Sequence, residues 1–148
     1  MSKKYFVDSE NVGDSWIDLL DTALEEDEIL VFYTEKSPNM KYNNLIKLKQ
    51  APRDVTFMEC CAGNNALDFQ LSTELGYQVH DIGDTEFIIV SNDTGYDAVV
   101  KYWRDRRIRI KRILGKTCSH NQQFQNEKND IAVDVQNDSQ ILSLQNLE

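Results

Sequence analysis

No apolar run in this 148-residue chain approaches the ~20 residues that a membrane span requires. The opening MSKKYFVDSEN holds only a three-residue apolar core before acids arrive, so it does not read as a signal peptide, and a cytoplasmic location is expected. Cysteine is scarce. The three present, two of them adjacent at Cys60 and Cys61, give neither a paired disulfide framework nor a C-x-x-C metal spacing, and they read as buried reduced thiols. The two histidines are His80, at a helix end, and His120, in a polar tail, which argues against zinc. No repeat recurs at a solenoid period. What remains, 41% apolar and 28% charged residues, is ordinary for one globular domain.

Positive charge is also short. Sixteen Lys and Arg against twenty-five Asp and Glu leave a net charge of −9, which argues against a general nucleic-acid coat protein. The distribution is uneven, however. Eight of the sixteen cations lie between Lys101 and Lys116, and nineteen of the twenty-five acids precede residue 100. An acidic body with one basic stripe follows, and Arg104, Arg106, Arg107, Arg109 and Lys111 are candidates to hold phosphates. A solvated helix end and edge strand explain the same residues equally well.

Strand and helix signals alternate along the chain. Residues 4–8 form a short apolar strand ending in Asp8. From Ser15 to Leu24 apolar residues recur at helical spacing behind an Asp14 cap. EILVFYT, residues 28–34, is rich in β-branched and aromatic residues, as a buried strand should be. A second helix over 40–48 places Leu45, Ile46 and Leu48 on one face, and Pro52 stops it. Strand three spans 54–61. A helix from 65 or 66 to about 80 repeats Leu67, Leu71, Leu75 and Val79, with Gly76 inside it as a sign of close packing or a bend. Strand four is 86–90, helix four 96–103 with Val99, Val100 and Trp103 inward, and 107–114 alternates as an edge strand. This order predicts an α/β fold, a parallel sheet of about five strands covered by helices on both faces. Thr117 to Glu148 is rich in Asn, Gln, Asp and Ser and is expected to be a flexible tail outside a 1–116 domain.

In an open parallel sheet the functional crevice lies beyond the carboxyl ends of the strands, where strand order reverses. Asp8, Glu35 and Asp93 stand at or just past three such ends, and Asp68 and Asp97 lie in the first turns of the following helices. Each alone is explained as a turn former, helix cap or solvated loop residue. Together they repel one another unless a cation compensates them, and Mg²⁺ or Mn²⁺ suits an all-oxygen set. Ser91 is placed to orient the acids, and Gly95 to let the backbone turn.

Three stretches, YFVDSEN at 5–11, NALDFQL at 65–71 before Leu75-Gly76-Tyr77, and IVSNDTGYD at 89–97, resemble the acidic signatures of the PIN domain superfamily, with likeness to bacterial PIN-like proteins related to its NYN branch. The resemblance covers roughly residues 4–114. It implies a PIN-like three-layer α/β/α sandwich with strand one central and beside strand four, and metal-dependent phosphodiester hydrolysis, usually of RNA. Asp8, Asp68, Asp93 and Asp97 match the catalytic and metal-binding acids, and Asn11 and Ser91 would support them or contact phosphate. The helix MKYNNLIKLKQ lacks the acid that many PIN domains carry there, so Glu35, ahead of Glu10, stands in as a ligand. Asp97 follows Asp93 by four residues where two are common in NYN proteins. Tyr96 or Trp103, if exposed, would stack a base. A receiver domain would need an acid after strand three, where Cys60 and Cys61 stand, and a haloacid-dehalogenase phosphatase would need D-x-D where Asp8-Ser9-Glu10 stands. A PIN-like module that binds RNA or a protein without cutting remains the alternative, and a homodimer is compatible with either.

Overall fold

The computed structural model of the protein describes residues 1–80 and 83–115; the expected tail lies outside the described residues. Five parallel strands, β1 (Ser2–Asp8), β2 (Glu28–Tyr33), β3 (Thr56–Glu59), β4 (Thr85–Val90) and β5 (Ile110–Ile113), lie in the order β3-β2-β1-β4-β5. The first crossover holds a short α1 (Ser9–Val12), a 3₁₀ turn (Ser15–Asp18) and α2 (Leu19–Thr22). The later ones are α3 (Tyr42–Gln50), α4 (Ala66–Gln78) and α5 (Tyr96–Arg104). The chain winds outward from β1 through β2 to β3, then returns to the other side of β1, so the order reverses between β1 and β4.

Strand periodicity sorts the side chains into two cores. Phe6, Leu30, Phe32, Phe87, Ile89 and Ile110 meet Leu67, Leu71, Leu75 and Val79 of α4 with Tyr96 and Val100 of α5. Tyr5, Val7, Ile29, Val31, Ile88 and Val90 meet Val12, Trp16 and Ile17 on the opposite face. The same alternation decides where the polar ends of the strands point. Asp8 shares the parity of Phe6, Ser91 that of Ile89, and Thr34 that of Phe32, so all three stand on the α4 and α5 side.

Some elements depart from expectation for physical reasons. The helix predicted over 15–24 is broken, because Asp14 makes no side-chain cap and instead accepts from the Asn44 amide at 2.6 Å. The α3 face is largely solvated: Leu45 and Ile46 are 44% and 52% exposed, and only Leu48 packs on the core. This helix makes its main contacts with the 3₁₀ turn. Strand five is shorter than 107–114. Arg107 adopts φ 64°, and the Ile108 N–H returns to the Trp103 carbonyl at 3.0 Å, which closes α5 with a left-handed cap. Among the described residues no helix is long and apolar enough to cross a membrane.

At Gly76 an added Cβ would lie 3.5 Å from the Trp103 ring, an ordinary contact. Gly76→Ala should therefore keep the helix packing and raise unfolding free energy by about 0.5–1 kcal/mol through helix propensity. Urea denaturation showing a loss instead would mean that α4 and α5 pack too closely there for a methyl group.

Candidate active site

Asp8 ends β1 with 3% of its surface exposed. A buried carboxylate needs donors, and three reach it. The Asn11 N–H donates to Oδ1 at 3.3 Å, the Ser91 hydroxyl to Oδ2 at 3.1 Å, and the Tyr96 hydroxyl also lies 3.3 Å from Oδ2. Ser91 then accepts from the Asp93 N–H at 3.1 Å, and the Asn92 N–H donates to the Asn11 side chain at 2.7 Å. The loop after β4 is thereby tied to the start of α1. The Gly95 N–H donates to Asp93 Oδ1 at 2.8 Å, and a Cβ at Gly95 would lie only 3.1 Å from that oxygen. Ser91 and Gly95 thus do mechanical work in the stretch SNDTGYD: one holds Asp8, the other makes room for Asp93.

The acids surround an open cleft of about 210 Å³ lined by Asp8, Glu10, Asn11, Asn65, Asp68 and Asp93. Among the described residues no Lys or Arg lines it. Burial, and behind it the charge of Asp68, pushes the Asp8 carboxyl up to about 6 against the opposing pull of its donors. Burial also raises Asp68. The Tyr96 hydrogen bond holds Asp68 back in part, while Asp93 and Glu10 push it further up. The Tyr96 hydroxyl stands 3.0 Å from Asp68 as well as beside Asp8. It has one proton, so it serves one carboxylate at a time when both are ionised. Burial and the two neighbouring carboxylates keep the phenol protonated.

Asp8, Asp68 and Asp93 are brought together, with Asn11 and Ser91 beside them. Asp97 is not among them. It is exposed and forked on Arg112, Nε to Oδ1 at 2.8 Å and Nη2 to Oδ2 at 3.1 Å, which holds its carboxyl below the usual range. Glu35 lines a separate cavity, and Glu10, where the Thr34 hydroxyl donates to it, lines the acid cleft. The basic candidates lie elsewhere. Arg104, Arg106, Arg107 and Arg109 stand at the end of α5 and before β5, at the amino edge of the sheet, about 20 Å from the acids at ~3.3 Å per strand residue. Arg109 pairs with Asp84 at 2.6 Å, Lys111 with Glu86 at 3.0 Å, and Arg106 lies 3.5 Å over the Tyr102 ring. Tyr96 is 3% exposed, so it supports acids and stacks no base; Trp103 is partly buried against the core. Sequence reasoning gave Tyr96 a different role, that of a stacking ring, and missed Thr34. The signal for Thr34 was there, two residues beyond the inward Phe32.

The donor set is all oxygen, its charges are uncompensated and mutually repelling, and this chemistry fits a hard divalent cation. Among the described residues no three acids are already arranged to hold an ion.

An open parallel sheet with an acid-lined cleft at its switch point defines a doubly wound α/β protein whose candidate site lies at the carboxyl ends of its strands. A family model for the PIN domain matches residues 2–113, and the chain belongs to that family, which is generally a family of nuclease domains acting on nucleic acids. No curated protein and no solved structure matches the chain significantly. Nothing among the described residues or in the family match supports a homodimer.

Because the folded pKa of Asp8 lies above its unfolded value near 3.8, its protonation favours the folded state: that stability is complete below about pH 4 and lost as pH rises through about 6. With divalent ions chelated, wild-type protein should lose about 2 kcal/mol across this window relative to Asp8→Asn, whose dependence should be flatter. Urea melts of both proteins at several pH values check this, and parallel profiles would show that Asp8 is not burdened by its burial.

Proposed function

We propose that this chain is a metal-dependent endoribonuclease that hydrolyses phosphodiester bonds in single-stranded RNA in the cytoplasm, with Mg²⁺ or Mn²⁺ as cofactor. The observation that carries the reading is the cleft at the β1 and β4 carboxyl ends, whose four acids, Asp8, Glu10, Asp68 and Asp93, meet no cation in its lining among the described residues. RNA as the substrate rests on the resemblance to the NYN-related branch of the family.

Asp8, Asp68 and Asp93 would hold the ion, with Glu10 in the place expected of Glu35. When bound, it supplies Lewis acidity at the scissile phosphate and offsets charge on the departing oxygen. The chain does the rest. Ser91, Asn11 and Thr34 fix the orientations of Asp8 and Glu10 through the hydrogen bonds above. The Tyr96 hydroxyl stands within hydrogen-bond distance of both Asp8 and Asp68 and steadies the pair. Arg112, whose Nη1 also donates to the Ser91 carbonyl at 3.1 Å, is the cation nearest that loop. An incoming phosphate would compete with Asp97 for its guanidinium, leaving Asp97 to orient the attacking water. The arginines at the amino edge would meet only a strand long enough to follow α5.

A second reading, a PIN-like module that binds RNA without cutting it, is favoured by the pairing of Asp97 with Arg112 and by the lack, among the described residues, of three acids arranged for an ion. One experiment separates the two. Purified protein should cleave a single-stranded RNA oligonucleotide with Mn²⁺ or Mg²⁺ and not with chelator, and Asp93→Asn should lower the rate at least about 10- to 100-fold. RNA binding without cleavage under any divalent ion selects the second reading and ends the first.

A further inference from the structure

A larger cavity, about 480 Å³, opens beside the acid cleft, within the ~300–1,000 Å³ usual for ligand sites. Its aromatic wall is Trp16, Tyr33 and Phe57. Phe57 meets both other rings edge-on, with centroids 6.0 Å from Trp16 and 6.4 Å from Tyr33, and keeps 46% of its surface exposed. An exposed ring held by edge contacts presents a stacking surface. The polar lining includes Asp14, Glu35 and Asn39 and, among the described residues, no Lys or Arg. Such a lining repels phosphate and accepts a flat, uncharged ring with N–H donors.

The cavity and the cleft share a wall. Thr34 lines the cavity and donates to Glu10, which lines the cleft. Ser9, between Asp8 and Glu10, also lines the cavity, and its hydroxyl bonds Ser37 at 2.8 Å. A strand with one phosphate at the acids therefore has a neighbouring base within reach of this cavity. Asp14 is occupied by Asn44, whereas Glu35 is exposed and has no hydrogen bond or ion pair among the described residues.

We propose that this cavity receives a nucleobase of the RNA strand whose phosphate lies in the acid cleft, and that the Glu35 carboxylate selects guanine. The inference rests on the nuclease reading for its substrate class. Guanine alone offers two parallel donors, N1–H and the 2-amino group, that match the two oxygens of a carboxylate. Adenine and cytosine place a ring acceptor beside their amino group, and uracil flanks its single N–H with carbonyl oxygens; each turns a lone pair toward Glu35.

The test uses free nucleosides in chelator, so that it does not depend on cleavage. In a Trp103→Phe background, which leaves Trp16 as the emitter, guanosine should quench fluorescence at lower concentration than adenosine, cytidine or uridine. Glu35→Gln should cut the guanosine preference about tenfold, as expected for loss of a bidentate base contact. Phe57→Ala should weaken all nucleosides about tenfold. Both positions are exposed, and circular dichroism checks that the variants fold. Quenching that is absent or equal for all four bases, or unchanged in Glu35→Gln, overturns the proposal. Guanosine binding without RNA cleavage leaves this inference standing while the nuclease reading fails. Cleavage with no guanosine binding and no base preference does the reverse.

Discussion

A carboxylate at the buried end of a hydrophobic strand is tolerated only if its surroundings are built for it, and Asp8 sets that requirement for the whole carboxyl edge of the sheet. Its donors come from three separate stretches: the backbone of Asn11 in α1, Ser91 after β4 and Tyr96 at the start of α5. Each donor has a further attachment. Ser91 takes the Asp93 amide, Asn11 takes the Asn92 amide, and Tyr96 reaches Asp68. Satisfying one charge thus organises the loops that present the others. Donors alone do not offset the burial and the neighbouring Asp68, which is why the Asp8 carboxyl stays high at about 6. A hard divalent cation would relieve that remaining repulsion.

The sheet separates two kinds of surface by parity. Side chains in step with Phe6 and Phe32 point toward α4 and α5, and their polar continuations, Asp8 and Thr34, serve the acids. Side chains in step with Tyr5 and Val31 point the other way, and there Tyr33 joins Trp16 and Phe57 around the second cavity. Charge follows the same division of labour. Among the described residues the cleft gathers acids without cations, and most of the basic residues of α5 and β5 lie at the amino edge or are paired with Asp84, Glu86 and Asp97. A run that looks like a phosphate-binding stripe along the chain is dispersed in space, because a helix and the strand after it carry successive residues from one edge of the sheet to the other.

Much of this was legible before any coordinates. The apolar runs ending in Asp8 and Asp93, the four-residue repeat from Leu67 to Val79 and the alternation of strands with helices define a parallel α/β sheet, because local periodicity reports directly which face of an element is buried. The motifs around Asp8, Asp68 and Asp93 pointed to the PIN family by likeness alone, and the family match covers the same stretch. That Asp8 and Asp93 come from neighbouring strands follows from β1 lying beside β4. Which remaining acid joins them depends on packing that periodicity does not encode. Glu10 enters the cleft because a short helix begins immediately after Asp8 and Thr34 takes hold of it. Glu35, one residue further along the chain, lies beyond that contact and lines the other cavity.

The sequence by itself determined most of the secondary elements, the two apolar faces and the oxygen-only chemistry of the acids, since these depend on residue type and on spacing within a single element. Only the tertiary structure decided which carboxylates meet, which are taken by arginine, and that a buried phenol stands between Asp8 and Asp68. Those outcomes depend on distances between residues on different elements, 15 positions apart for Asp97 and Arg112 and 83 and 88 for Asp8 with Ser91 and Tyr96. Such distances are set by the packing of α4 and α5 on the sheet, so no local pattern in the chain contains them.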